Sequence, residues 1–220
     1  MQKEKLIYDF FEISHSYMKD KYEKILVELE SYDEIHNDRD IYHLSLVARA
    51  YIEYDETRYN KELYKMVDPI FEYLTKLKSW SVLDIKIYSM IMDLTETHEE
   101  AVLLSDKVLK EVEKLSPEQL PKKLVVWIHA NLVSRILKAD YFDSPHSQTL
   151  ELEKLFEEYF EKAYKIAEEN DFKDILALLI FKKGLFYDDT ELVNKGLELS
   201  KKYSKEAFED LKKETEIYKR

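Results

Sequence analysis

A polar stripe in residues 120–139 has the residue types and the spacing to recognise a ligand. Drawn as a helix, with successive residues about 100° apart, this stretch is apolar on its other sides. The stripe consists of Asn131, Ser134, Arg135 and Lys138, with Trp127 among them. Asparagine offers a donor and an acceptor, arginine a rigid fork of donors, and tryptophan a flat apolar platform. This combination is typical of a site that holds a peptide backbone or a carboxylate.

The alternative interpretation of the stripe is an ordinary solvated surface with Trp127 half-buried. A helix that is apolar elsewhere packs between neighbours, so its stripe faces either water or a groove. The residues leave both interpretations open. If the stripe lines a groove, we expect Asn131 and Arg135 to hold the ligand and to contribute little to stability. In either case the opposite sides of the helix are expected to be buried, with Leu132, Val133, Ile136 and a core histidine, His129.

No catalytic or metal-binding motif is evident elsewhere in the sequence. The two glycines, Gly184 and Gly196, cannot form a phosphate loop or a dinucleotide fingerprint. Glu12 and His15 have one Glu-x-x-His spacing, whereas a di-iron bundle needs two such motifs and further carboxylates. The HEE sequence that begins at His98 lacks the second histidine of a zinc-protease helix. We therefore expect a protein that is not an enzyme and uses no metal or cofactor.

Composition and charge narrow the possible partners. The 220 residues include only 2 Gly and 4 Pro, too few for the turns of a β-sandwich or barrel. The formal net charge of −12 argues against direct contact with nucleic acid or an anionic membrane surface, because both attract Lys and Arg. There is no cysteine, and the first residues lack the apolar core of a signal peptide. These features predict a cytoplasmic, helical protein without a membrane partner.

Hydrophobic periodicity predicts five consecutive helix pairs, a terminal helix and no strand. Helix pairs of about 34 residues are the signature of tetratricopeptide-like repeats. Gly184, Tyr187 and Gly196 match the skeleton of one repeat, and Ala163 precedes Gly196 by close to one repeat length. We predict that residues 1–220 form a single all-α domain, a right-handed superhelical solenoid of about five degenerate pairs plus a C-terminal helix. A generic helical bundle is the alternative.

Four segments of the chain resemble the C-terminal regulatory domain of Rgg/GadR/MutR-type transcriptional regulators from Gram-positive bacteria. They are IYDFFEISHSYMKDKYEKILVELE, KLKSWSVLDIKIYSMIMDL, VVWIHANLVSRILKADYF and FKKGLFYDDTELVNKGLEL. The resemblance implies a tetratricopeptide-like homodimer that binds a short signalling peptide, a quorum-sensing pheromone, on its concave face. In the wider group of peptide-sensing regulators, an asparagine on an inner helix clamps the peptide backbone. Asn131 matches that position, with Arg135 one turn further on.

The resemblance extends the implied peptide site to three of the predicted helices. In such a solenoid the first helix of each pair lines the concave surface. The implied lining is Arg49, Asp84, Tyr88, Trp127, Asn131, Ser134, Arg135 and Lys138. The resemblance also places the homodimer contacts on the C-terminal helices, at residues 192–218.

One departure from the family concerns DNA. Its members carry an N-terminal helix-turn-helix that these 220 residues lack. The resemblance therefore implies DNA binding only through a part that is not present in this chain. A scaffold that binds a protein partner through the same groove, with no dependence on a small peptide, is the alternative function.

Overall fold

The computed structural model describes residues 2–13, 18–57, 62–115, 121–143 and 149–218, and within these ranges it contains helices and no strand. The prediction of an all-α fold is confirmed. The chain divides into two compact units, Met1–Lys78 and Ser79–Arg220. Each unit has its own helices and its own core.

The first unit is built around a pair of long helices. Its helices are α1 (Lys3–Phe11), α2 (Lys19–His36), α3 (Arg39–Thr57) and α4 (Leu63–Lys76). The α2 and α3 helices pack on each other, α4 packs on α3, and α1 contacts both α2 and α3. Between α2 and α3, the rings of Tyr22 and Tyr51 stack with their centroids 5.1 Å apart. Aromatic stacking thus contributes to the contact between α2 and α3.

The turn between α2 and α3 also anchors α1. Asn37 ends α2 in the left-handed conformation, with φ of 49°. The Asp38 carboxylate accepts hydrogen bonds from the backbone N–H groups of Asp40 and Ile41 and so caps α3. The Lys3 ammonium lies 2.8 Å from carboxylate oxygens of both Asp38 and Asp40. One lysine of α1 is therefore shared by two carboxylates of the turn.

The second unit is organised around α7. Its elements are α5 (Val82–Ile91), a 3₁₀ turn (Met92–Leu94), α6 (His98–Val112), α7 (Lys122–Lys138), a π-helical turn (Ala139–Asp143), α8 (Leu150–Glu169), α9 (Lys173–Phe186), α10 (Thr190–Tyr203) and α11 (Lys205–Ile217). The α7 helix packs against α5, α6, α8, α9 and both short turns. Leu132, Val133 and Ile136 are fully buried, as predicted. A helix with neighbours on so many sides has little surface left for solvent.

Short polar side chains start most of the helices of the second unit. Ser81, Thr97, Thr149, Asp189 and Ser204 each accept a hydrogen bond from a backbone N–H group in the first turn that follows. These caps satisfy N–H groups that have no partner inside the helix. They allow one helix to begin within a few residues of the end of the one before.

Two glycines allow α9 and α10 to cross closely. A Cβ atom added to Gly196 would lie 2.6 Å from the Cβ of Phe181 and 2.7 Å from its Cα. A Cβ atom on Gly184 would lie 2.5 Å from the backbone nitrogen of Val193. All three distances are below van der Waals contact, and at each glycine a backbone atom is among the obstacles. The glycines of the predicted repeat skeleton are therefore required by the α9–α10 crossing.

The central position of α7 can be tested by truncating one core side chain. We expect Leu132→Ala to lower the free energy of unfolding by ~2–5 kcal/mol, because Leu132 is fully buried and its loss leaves a cavity. Leu103→Ala is the matched control, since Leu103 on α6 is 71% exposed. Urea denaturation measures both changes, and the control should stay within about 0.5 kcal/mol of wild type. A cost below about 1 kcal/mol for Leu132→Ala would contradict the central position.

Candidate functional site

The α7 stripe has a buried end and an outer end. Arg135 and Lys138 are each only 3% exposed and Ser134 is 8% exposed. Trp127 and Asn131 are half-buried. The expectation that the whole stripe faces water or an open groove is wrong for the buried end, Ser134, Arg135 and Lys138. Only the outer end, Trp127 and Asn131, retains access to solvent.

Arg135 binds backbone groups of the chain itself. Its Nε donates to the carbonyl oxygen of Thr95 at 3.2 Å and to the Thr95 hydroxyl at 3.3 Å. Its Nη2 donates to the carbonyl oxygen of Glu96 at 2.9 Å. Both carbonyls belong to the α5–α6 connection (residues 92–97), where a buried acceptor needs a partner from outside a helix. The guanidinium fork therefore satisfies two consecutive backbone acceptors.

Lys138 and Ser134 complete the buried end in different ways. The Lys138 ammonium lies 2.6 Å from a carboxylate oxygen of Asp93, and the two side chains are 4% and 24% exposed. A desolvated ion pair of this kind is costly to break, because the remaining charge stays buried. The Ser134 hydroxyl donates to the carbonyl oxygen of Ala130 at 3.2 Å, within α7 itself. Lys138 thus adds a second link from α7 to the α5–α6 connection.

Asn131 connects the outer end to α5. Its Nδ2 donates to the carbonyl oxygen of Ser89 at 2.5 Å. This bond orients the amide and leaves Oδ1 as its acceptor atom. Trp127 lies one turn before Asn131 on the same side of α7. The outer end therefore offers an oriented amide acceptor beside a half-buried indole.

Two of the predicted lining residues have structural roles within α5. Tyr88 is fully buried, and its hydroxyl donates to the carbonyl oxygen of Ala101 at 3.0 Å. Burial raises the pKa of the Tyr88 phenol above its ordinary value. Asp84 accepts hydrogen bonds from the backbone N–H and the hydroxyl of Ser81, which completes the capping box of α5. Both side chains are buried and hydrogen-bonded within the unit, so neither is open to a ligand at the outer end of the stripe.

Arg49, the remaining predicted lining residue, belongs to the first unit. Its Nη2 lies 2.5 Å from a carboxylate oxygen of Glu30, in a pair that joins α3 to α2. Both side chains are well exposed, so this pair contributes little to stability. Arg49 is thus placed in a local ion pair of the first unit, and the other seven predicted residues all belong to the second.

His129 forms a buried aromatic cluster on another side of α7. It is 6% exposed, and its ring stacks on Tyr159 of α8 with centroids 6.0 Å apart. The Tyr159 hydroxyl donates to a carboxylate oxygen of Asp106 on α6 at 3.5 Å. No described residue makes a hydrogen bond to Nδ1 of His129. Burial, with a further contribution from the charge of Lys162, lowers the pKa of His129 to about 4.

The described ranges contain neither a candidate metal cluster nor a candidate membrane span. No group of three or more His, Asp and Glu side chains among these residues is placed to hold a metal ion. No helix there combines the length and the apolar character needed to cross a lipid bilayer.

Comparison with known proteins returned no match to a protein-family model, a curated protein or a solved structure. The resemblance to Rgg-type regulators accordingly rests on the four sequence segments. Peptide binding by the stripe stays a prediction.

The contacts of Arg135 predict a role in stability, in contrast to the expectation drawn from the sequence. We expect Arg135→Ala to lower the free energy of unfolding by about 2 kcal/mol or more, because it removes the donor from the buried carbonyl of Thr95 and from the part-buried carbonyl of Glu96. Lys122→Ala, at an exposed position in the first turn of α7, is the matched control and should change stability by less than about 0.5 kcal/mol. Urea denaturation measures both. Equal stability of Arg135→Ala and wild type would show that these hydrogen bonds contribute nothing.

The buried His129 predicts a loss of stability in mild acid. Its pKa falls from an ordinary 6.5 to about 4 in the folded protein. Below pH 6.5 the unfolded chain therefore binds a proton that the folded chain does not. The stability lost between these two pKa values amounts to about 3 kcal/mol at most.

The variant His129→Gln isolates this contribution, because all other titrating groups are shared with wild type. We expect the unfolding free energy of wild type to fall steadily relative to that of His129→Gln as the pH falls from about 7 to about 4.5. Urea denaturation at several pH values measures it. A difference that does not change with pH would mean that His129 is protonated as readily in the folded chain as in the unfolded one.

Proposed function

We propose that the second unit is a recognition module for a short peptide and that Trp127 and Asn131 form the centre of its site. The supporting observation is the chemistry of the stripe, which consists of side chains that bind backbone carbonyls in this structure. Asn131 donates to Ser89, and Arg135 donates to two carbonyls of the α5–α6 connection. At the outer end, Asn131 lies one turn from the Trp127 indole, and both residues remain partly accessible to solvent.

The outer end suits an extended peptide with an apolar side chain. The amide donor of Asn131 is engaged by Ser89, so Oδ1 is oriented to accept a hydrogen bond from a peptide N–H. The Trp127 indole supplies a flat apolar surface one turn away, against which a peptide side chain can pack. Backbone hydrogen bonding then provides affinity, and the fit at the indole provides specificity.

The wider proposal is a regulatory domain with a tetratricopeptide-like superhelix. Its support is the packing order of the helices: α7 packs with α8, α9 packs with α10, and α7 also contacts both α5 and α9. Pairs that contact the next pair along the chain are the basis of a helical repeat. The resemblance to Rgg-type regulators adds a role in transcription, with a signalling peptide as ligand, dimerisation through this chain and DNA binding through a separate part. In that proposal the protein is cytoplasmic.

The two tryptophans of the chain allow a direct test. Trp80 is 5% exposed and Trp127 is half-buried, so Trp80→Phe leaves Trp127 as the sole indole reporter. Short random peptides selected by phage display on the wild-type protein are titrated onto this variant. We expect the emission of Trp127 to shift on binding, because a peptide at the outer end changes the solvent around the indole. Selected peptides that leave this emission unchanged would place the site elsewhere.

Substitution of Asn131 measures its share of the affinity. We expect Asn131→Ala to weaken binding of the selected peptide by roughly 5- to 150-fold, since a lost hydrogen bond leaves a partner unpaired at ~1–3 kcal/mol. Leu103→Ala, at an exposed position on α6, should bind as wild type does. Far-UV circular dichroism confirms that each variant is folded, and calorimetry gives the affinity. Unchanged affinity in both Asn131→Ala and Trp127→Ala would overturn the proposal.

A further inference from the structure

Three positions of the second unit lie in a row along the contact between α5 and α7. Asn131 of α7 binds the carbonyl oxygen of Ser89 on α5, and Lys138 of α7 binds Asp93 in the 3₁₀ turn that follows α5. Residue numbers rise in the same direction in both contacts, so α5 and α7 run the same way. Trp127 precedes Asn131 by one turn, and Asp93 follows Ser89 by about one turn. The order along this row is therefore Trp127, Asn131 and Asp93.

The two cations of the α7 stripe are closed to a ligand. Arg135 and Lys138 are each only 3% exposed. Arg135 donates to the carbonyl oxygens of Thr95 and Glu96. Lys138 donates to Oδ2 of Asp93. A ligand carboxylate that took either cation would break these contacts and leave a partner group unsatisfied, so the row does not offer its cations to a carboxylate.

The groups of the row that remain open to a ligand are hydrogen-bond acceptors. The amide nitrogen of Asn131 is engaged by Ser89, which leaves Oδ1 as the acceptor atom of the amide. Asp93 binds Lys138 through Oδ2, yet 24% of the Asp93 side chain is exposed. A carboxylate accepts several hydrogen bonds at once, so Asp93 can take a second donor on its exposed side. The row therefore suits a ligand that donates.

The charges at the two ends of the row differ in sign. At one end, the exposed Glu96 follows Asp93 by three residues, so two carboxylates lie in this part of the α5–α6 connection. At the other end, the half-buried Lys86 lies on α5 about one turn before Ser89. A cation of a ligand is attracted to the carboxylates and repelled by the lysine. Its favoured position is therefore the Asp93 end of the row.

We propose that the peptide ligand is cationic: its ammonium or guanidinium group binds Asp93, its backbone binds Asn131, and an apolar side chain packs on Trp127. This inference rests on the proposed function and adds the charge of the ligand and the order of its groups. Two helical turns, about 11 Å, separate Trp127 from Asp93. An extended chain rises about 3.3 Å per residue, so the apolar side chain and the cation are about three residues apart. The cation is either a Lys or Arg side chain or the amino terminus of the peptide.

The peptides selected by phage display on the wild-type protein are the probes for this inference. Each is synthesised in three further forms: with glutamine in place of its basic residue, with glutamate in that place, and with an acetylated amino terminus. We expect either the glutamine form or the acetylated form to bind about tenfold more weakly, a change of about 1.4 kcal/mol. The form that weakens identifies the cation as a side chain or as the amino terminus. Calorimetry measures each affinity.

A double variant of the protein tests whether Asp93 is the group that binds the cation. Asp93→Asn combined with Lys138→Gln removes the carboxylate and its buried partner together, so no unpaired charge remains. We expect this variant to bind the cationic and the neutral form of a peptide alike. Glu158→Gln combined with Lys162→Gln removes an exposed pair of the same charges on α8 and is the matched control. It should keep the wild-type preference for the cation.

The results separate this inference from the proposed function. Peptides that shift the Trp127 emission but bind as tightly without their cation, or more tightly with glutamate, would overturn the inference and leave the proposed function standing. A double variant that keeps the preference for the cation would do the same. If the double variant does not fold, the peptide forms titrated onto wild type decide the question. Selected peptides that leave the Trp127 emission unchanged would overturn both proposals.

Discussion

The second unit depends on hydrogen bonds from a buried arginine to an irregular backbone segment. The α5–α6 connection leaves the helical pattern at the 3₁₀ turn, yet Leu94 and Thr95 are each only 5% exposed. Buried carbonyl groups outside a helix need donors from elsewhere. Arg135 supplies these donors to Thr95 and Glu96, and Lys138 adds an ion pair to Asp93. Without these contacts the packing of α7 against this connection would leave the buried carbonyl of Thr95 without a donor.

A guanidinium group suits this position better than an apolar side chain of similar size. Its planar fork can donate to neighbouring acceptors at once, whereas a hydrocarbon would fill the space and leave both carbonyls unsatisfied. A guanidinium group is also more weakly hydrated than an ammonium group, so its burial costs less free energy. The second cation, Lys138, is accordingly the one with a carboxylate partner close to the surface. The two cations of the stripe thus meet different kinds of acceptor.

Much of the fold follows from local sequence features, whereas the surroundings of the stripe do not. Helical periodicity and scarce glycine predict the all-α class, and the apolar sides of α7 predict the burial of Leu132. A helical wheel gives the direction of Arg135 around α7, but it does not show what lies in that direction. The acceptors of Arg135 are main-chain carbonyls, which every residue carries, so no sequence pattern marks them. The peptide site inferred from Asn131 rests on resemblance and on side-chain chemistry. The sequence of the chain does not specify which peptide would bind there.

The packing of α7 onto an earlier connection also has a consequence for the order of events during synthesis. The segments of α5, the 3₁₀ turn and α6 leave the ribosome before α7 does, since the chain emerges from its N-terminal end. Until Arg135 follows, the carbonyls of Thr95 and Glu96 can be satisfied only by water. The connection therefore stays hydrated and adaptable while its neighbours form. These contacts join residues 39 to 45 positions apart, so the connection becomes fixed only after α7 has been synthesised.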